Sequence, residues 1–230
     1  AAFLSERPEL PLEDVAFTLG QGRRRFAARA AVVARTNQEA ADALRASDVK
    51  RCEVMLEGKD ASRVVFMFPG GGAQYVGMAR GLRGQAVFDA KLAECAAHLQ
   101  PLLGLDIRAL IYPEAESNRE ASLERPFFAL PTLLAIELSL AALLESYGVT
   151  PAAMIGHSMG EYAAAHLAGV MSLKDALGIV TCRGRLFEKL PRGSMLGVPL
   201  SAKDLTAHLQ PGLSIAAINR PQQCVASGHV

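Results

Sequence analysis

The stretch Gly156-His157-Ser158-Met159-Gly160 holds residues whose types and spacing can do covalent chemistry. It lies between an apolar run, Ala152 to Ile155, and an amphipathic run, Glu161 to Val170. A serine between glycines at a strand-to-helix turn is a nucleophile elbow. The turn is too tight for side chains at its outer positions, so both require glycine. Ser158 is left pointing out of the sheet, with backbone N–H groups near a helix start. Those groups carry partial positive charge and can hold an oxyanion. The pentapeptide thus proposes a nucleophile, its exposure and half of an oxyanion hole. The plain alternative is a strand–helix turn capped by a serine.

A serine nucleophile also needs a second oxyanion donor, a base and a substrate site. One donor is the N–H of Met159, directly after the nucleophile. The other is expected from a loop that follows an early strand. Phe68-Pro69-Gly70-Gly71-Gly72-Ala73-Gln74 suits that role, because its glycines let the backbone approach a ligand closely. A phosphate-binding loop is the rival reading, but no Lys-Ser/Thr pair follows the glycines. Arg183 lies 25 residues after Ser158 in a mostly apolar window, Ala176 to Phe187. Facing inward, it offers a forked donor to a carboxylate; facing outward, it is an ordinary surface arginine beside Arg185.

The elements that must position these groups are legible as well. Arg63 to Phe68 is a continuous β-branched and aromatic run stopped by Pro69, which reads as a strand buried on both faces. Helical patterns follow at Ala73 to Leu82, Ala86 to Leu103 and Pro126 to Tyr147. The elbow strand and its helix come next. Ser172 with Asp175 resembles a capping box opening a helix that runs to about Leu190. Strands alternating with long helices predict a parallel α/β sheet up to residue 190. Shorter elements then follow: strands at Met195–Leu200, Leu213–Ile218 and Gln223–Ala226, and a helix at Ala202–Leu209. Residues 1 to 60 read as a separate unit. It has a polar, extended start (Ser5 to Pro8), a helix at Leu12–Leu19, a basic turn at Arg23–Arg25 and a strand at Phe26–Val33. A helix at Asn37–Ala46, with Asn37 near its cap, completes it.

Composition excludes several classes of function. The 230 residues are half hydrophobic and 20% charged, with net charge +1, so nothing points to nucleic acid or an anionic membrane. Trp is absent, which weakens any base-stacking role. Cys52, Cys95, Cys182 and Cys224 are scattered, with no pair spaced for a metal or a disulfide framework. They read as small buried apolar side chains in a reducing, cytoplasmic setting. The apolar stretch Phe127 to Leu144 contains Pro131, Glu137 and Ser139 and reads as a buried helix rather than a membrane span.

Together, the Phe68–Gln74 loop, the Gly156–Glu161 elbow and Arg183 at its interval resemble the malonyl-CoA:acyl-carrier-protein transacylase family. The likeness is nearest to acyltransferase domains of modular polyketide synthases. Leu12 to Leu19, Gly22-Arg23 and the strand after them resemble the linker joining ketosynthase to acyltransferase in those megasynthases. Arg125-Pro126 and Asn219-Arg220-Pro221 fit as well.

The resemblance implies a linker at 1–60, an α/β-hydrolase-like large subdomain at 61–190 and the start of a ferredoxin-like α+β subdomain at 191–230. It implies ping-pong transfer of a malonyl- or methylmalonyl-type unit from acyl-CoA, through Ser158, to the phosphopantetheine of an acyl carrier protein. No bound cofactor or metal is implied. Met159 and Gly71 would supply oxyanion N–H groups, Arg183 would pair with the acyl carboxylate, and His157 would shape the pocket. The ketosynthase domain of the same megasynthase is the further partner. A serine esterase or thioesterase of the α/β-hydrolase type is the alternative, and it has no use for Arg183. A non-enzymatic docking module, in which only the linker matters, is the other.

Two positions depart from the family pattern, which has Gln where Gly71 and Leu130 stand. The family's catalytic His lies about a hundred residues after the serine. None of His98, His166, His208 and His229 occupies that motif position. A serine without its base is a poor nucleophile. These 230 residues alone are therefore expected to acylate slowly or not at all. Rapid stoichiometric labelling of Ser158 by malonyl-CoA, read by mass spectrometry, would place a base within them.

Overall fold

The computed structural model describes residues 1–24, 26, 28–46, 52–56, 63–113, 123–191 and 193–229. Arg25 of the basic turn, Ala27 of the first strand and the side chain of Cys52 fall outside the description. The chain divides into two compact units, Ala1–Arg63 and Val64–Val230.

In the first unit, helices α1 (Ala2–Glu6), α2 (Leu12–Gln21) and α3 (Asn37–Ala46) accompany an antiparallel pair, β1 (Ala28–Val32) and β2 (Cys52–Leu56). The start is helical rather than extended, because Leu4 is buried with Ala40 and Ala41 of α3. Asn37 is not the cap. Thr36 Oγ1 accepts the Glu39 N–H at 3.1 Å and fills that role. The Asn37 amide donates instead to the carbonyls of Arg7 (3.1 Å), Pro8 (3.4 Å) and Leu10 (2.8 Å). An amide nitrogen carries two N–H donors, so one side chain can tie the whole turn between α1 and α2 to α3.

The second unit is built around one apolar helix. In chain order it contains β3 (Val65–Phe68), α4 (Ala86–Leu103), α5 (Arg108–Ile111) and α6 (Pro126–Ser146). The elbow elements β4 (Ala153–Gly156) and α7 (Gly160–Leu167) follow, then α8 (Leu173–Phe187). Helix α6 is long and apolar enough to cross a membrane, yet 72% of its most apolar window is buried inside the protein. Residues Ala129 to Ser139 are buried without a break, the pattern of a helix surrounded by protein. Helices α4 and α8 both pack on it. Phe88, Leu92, Cys95, Leu99 and Leu103 recur at helical spacing along the face that α4 buries. The helix expected over Ala73–Leu82 is instead a series of turns ending in one 3₁₀ turn, Arg80–Leu82. Gly77, at φ +76°, breaks the helical path.

Strands β3 and β4 pair in parallel, from Val65 opposite Ala153 to Phe68 opposite Gly156. The expectation that β3 is buried on both faces fails. Phe66 and Phe68 are buried, whereas Val65 is 50% and Met67 77% exposed. Among the described residues, the core lies on one face only of this strand pair. After α8, β5 (Gly193–Val198), β6 (Leu213–Arg220) and β7 (Gln223–His229) form an antiparallel sheet in the order β5-β7-β6. Helix α9 (Ala202–Thr206) buries Leu205 against Cys224 and Ala226 of this sheet.

Helices α8 and α9 open alike. Ser172 and Ser201 accept the N–H groups of Asp175 (3.1 Å) and Asp204 (3.2 Å), and each hydroxyl donates to the same aspartate's carboxylate at 2.6 Å. Cys95 and Cys224 are buried as expected, and burial pushes the Cys95 thiol up to about 12. Cys182 is exposed, because it lies on the outer side of α8 beside the buried Thr181.

Glu137 is the anomaly of the core. It sits mid-way along α6, is 6% exposed, and neither carboxyl oxygen has a partner among the described residues. Burial pushes its carboxyl from 4.5 up to about 8. The folded protein thus holds a proton that the unfolded chain releases above about pH 4.5. Its stabilising effect is complete below that pH and is lost as pH rises toward 8, by at most about 1.4 kcal/mol per pH unit. Urea unfolding between pH 5 and 8 is expected to show this decline, and Glu137→Leu to remove it. At pH 8 the variant should be more stable by on the order of 2 kcal/mol. Parallel pH profiles for the two proteins would refute this account of Glu137.

Candidate active site

The parallel pairing of β3 and β4 places their carboxyl ends side by side. The His157 N–H donates to the Phe68 carbonyl at 2.9 Å and carries the ladder one step past the strand. From there the chain turns into the elbow, while β3 turns into Pro69–Gly72. The two turns touch. A Cβ placed on Gly70 would stand 2.9 Å from the His157 carbonyl oxygen and 3.3 Å from the Ser158 Cβ. The elbow's outer glycines have no room for one either. At Gly156 a Cβ would collide with the backbone of Gly160 and Glu161; at Gly160 it would collide with Phe68 and come within 2.6 Å of the Pro69 carbonyl oxygen.

Ser158 adopts φ +52°, the one positive φ outside glycine among the described residues. Such a conformation costs about 1–3 kcal/mol and persists only where the surroundings enforce it. Here the enforcement is the contact between the two turns. Ser158 and His157 are exposed, and the Ser158 hydroxyl makes no hydrogen bond to any described residue.

The two expected backbone donors lie on these same turns. Neither the Met159 N–H nor the Gly71 N–H is spent on another described residue. The Met159 side chain is 1% exposed and belongs to the core, so the site receives its backbone alone. Gly71 and Leu130, the two departures from the family pattern, are neighbours. A Cβ on Gly71 would lie 3.0 Å from Leu130 Cδ2. Carbon thus occupies what the pattern fills with two amides.

Arg183 is placed by close helix packing. The adjacent Gly184 is buried so tightly that a Cβ would stand 2.5 Å from the Pro126 carbonyl oxygen at the start of α6. Arg183 is partly buried, and its Nη1 donates to the Tyr162 hydroxyl at 3.1 Å. Its guanidinium carbon lies 5.8 Å from the Tyr162 ring centre and 5.3 Å from that of Phe187. No carboxylate among the described residues pairs with it. Tyr162, four residues after Ser158 on the elbow helix, was not singled out from sequence, because one aromatic on an amphipathic helix signals only packing.

His166 Nδ1 meets the Met171 carbonyl oxygen at 3.0 Å, and His98, His208 and His229 are exposed. A cleft of about 1060 Å³ opens between the start of α6, the end of α8 and the antiparallel sheet. Phe187, which packs on Arg183, forms part of its wall, with Arg125, Glu188 and Met195.

In this mixed α/β fold a strained serine thus stands at the end of a parallel strand, beside a helix start and backbone donors unspent among the described residues. The acyl transferase domain family matches residues 65–230, and the family described as CurL-like, PKS C-terminal matches residues 1–44. The chain belongs to the acyl transferase domain family, in the form found in type I polyketide synthases.

It is 39% identical over 237 residues to the erythronolide synthase EryA2 of Saccharopolyspora erythraea, covering 99% of this chain and 7% of that synthase. The acyl transferase domain of SpnD, solved in complex with 2-(pent-4-yn-1-yl)malonyl, matches with a TM-score of 0.83 and 40% identity. That match covers all of this chain and 54% of that one. An acyl carrier protein S-malonyltransferase from Vibrio cholerae matches 73% of this chain and 56% of its own length, with a TM-score of 0.61 and 32% identity. The chain thus spans a small part of the curated synthase and about half the length of the solved domains.

Two glycine substitutions separate close packing from mere glycine content. Gly160→Ala, driven into the Phe68 and Pro69 backbone, is expected to cost about 3 kcal/mol in urea unfolding. Gly178→Ala, in α8 with nothing within 4 Å of the added carbon, is expected to stabilise by about 0.5–1 kcal/mol. Equal effects at the two positions would contradict the close contact of the strand ends.

Proposed function

We propose that Ser158 is the nucleophile of a ping-pong acyl transfer. Its oxygen attacks the thioester carbonyl of a malonyl- or methylmalonyl-type CoA. The carbon–sulfur bond breaks, and CoA leaves as its thiol carrying the serine proton. The phosphopantetheine thiol of an acyl carrier protein then attacks the serine ester, the carbon–oxygen bond breaks, and the hydroxyl regains a proton. The Met159 and Gly71 N–H groups hold the oxyanion in both halves. Arg183 pairs with the acyl carboxylate, and His157 walls the site against Gly70. The general base is the histidine that the family pattern carries about a hundred residues after the serine.

The observation that carries this reading is the strained, exposed Ser158 set against Gly70, its hydroxyl and two N–H groups on the same turns unspent among the described residues. Arg183, partly buried and with no carboxylate partner among the described residues, favours a carboxylated acyl group over a plain ester. The malonyl-type ligand of the SpnD domain and the malonyl transfer of the Vibrio enzyme point the same way. We further assign residues 1–60 to a ketosynthase–acyltransferase linker, supported by the family match at 1–44. We assign 61–190 to the large subdomain and 191–230 to the start of a ferredoxin-like one. The partners follow: acyl-CoA, a carrier protein, and the ketosynthase domain of the same megasynthase.

The test is acyl loading in the whole native polypeptide. Malonyl-CoA is expected to leave a malonyl adduct on Ser158, seen by peptide mass spectrometry and transferred to holo carrier protein; Ser158→Ala abolishes it. Arg183→Ala should lower malonyl loading by about 10–100-fold while loading from acetyl-CoA persists. Unchanged malonyl loading in that variant would favour an esterase-type site.

A further inference from the structure

We propose that Tyr162 is a positioning residue for acyl selection: its hydroxyl fixes the Arg183 guanidinium so that the free part of the fork meets the carboxylate of the acyl unit on Ser158. The proposal rests on the role given to Arg183 above.

A free arginine side chain holds about 2 kcal/mol of rotamer entropy that a carboxylate ligand must otherwise remove. Arg183 is already restrained. Nη1 donates to Tyr162 Oη at 3.1 Å, and the cation lies near the rings of Tyr162 and Phe187. Only one of its five N–H donors is spent in this way. The rest face no carboxylate among the described residues. A guanidinium held by a neutral hydroxyl keeps its full charge for a ligand, whereas one held by an internal carboxylate would be neutralised.

Tyr162 is also tied to the elbow. Its own N–H donates to the Met159 carbonyl at 3.1 Å, one residue after the nucleophile. A single residue thus couples the turn bearing Ser158, through its backbone, to the group that recognises the acyl carboxylate, through its side chain. Helix α8 brings Arg183 within reach only because Gly184 lets it approach α6 so closely.

The experiment is a double-mutant cycle in the whole native polypeptide, with malonyl-CoA and acetyl-CoA loading of Ser158 measured in parallel. The four proteins are the wild type, Tyr162→Phe, Arg183→Ala and the double variant. Tyr162→Phe keeps the ring and removes the hydroxyl. It should lower the malonyl-to-acetyl ratio by about tenfold, and change the ratio no further when Arg183 is already alanine. A ratio unmoved by Tyr162→Phe but collapsed by Arg183→Ala would overturn the role of Tyr162 and leave that of Arg183 standing. Equal losses on both substrates would make Tyr162 merely structural, and additive effects would make it independent of Arg183; either result overturns the proposal. A ratio unmoved by Arg183→Ala would sink the underlying reading instead.

Discussion

Two strand ends are held closer together than side chains would permit, and the site depends on that approach. Where β3 and β4 finish, the elbow helix begins so near to Phe68 and Pro69 that position 160 cannot carry a Cβ, and the loop at Gly70 rests against the backbone of His157. Parallel pairing supplies the approach, because it brings two carboxyl ends to one edge of the sheet. The consequences are local and chemical. The serine backbone is forced to φ +52°, its hydroxyl is exposed, and two N–H groups are left unspent among the described residues. Strain at one residue is tolerated because contacts at several others over-determine it.

The helices packed behind the strand pair place Arg183. Helix α6 is apolar on every side and serves as the common surface for α4 and α8. Because Gly184 removes a side chain from its crossing with α8, Arg183 comes to lie beside the elbow helix and finds the Tyr162 hydroxyl. The core thereby places a cation that has no counter-charge among the described residues. A chain of net charge +1 has no strong overall field for an anion, so any attraction to one is local. Glu137, buried in the same core, has its carboxyl pushed up to about 8 by burial.

Membership of the acyl transferase domain family joins these features to a known class of chemistry, and the departures show where this chain differs. Gly71 and Leu130 are not two separate changes. They face each other, and the small residue leaves space that the branched one fills. At these two positions the chain presents carbon where the family pattern has amides, while the backbone N–H at position 71 is retained.

What the linear order of residues determined was whatever depends on near neighbours. The elbow, its two obligatory glycines, the cap at Ser172, and the long helices α4, α6 and α8 follow from turn geometry and side-chain periodicity within a few residues. Ser158, Met159 and Gly71 were legible as candidates for the same reason. What only the folded chain decided was every relation across distance. The exposed face of β3 could not be read from an unbroken apolar run, because such a run is compatible with burial on one side or both. The tether from Asn37 to the α1–α2 turn spans about 30 residues. The isolation of Glu137, the contact of Gly71 with Leu130 and the bond from Arg183 to Tyr162 each join separate elements. Local sequence carries propensity and pattern; which side chains meet is settled by helix crossings and strand register, and those are properties of the packed whole.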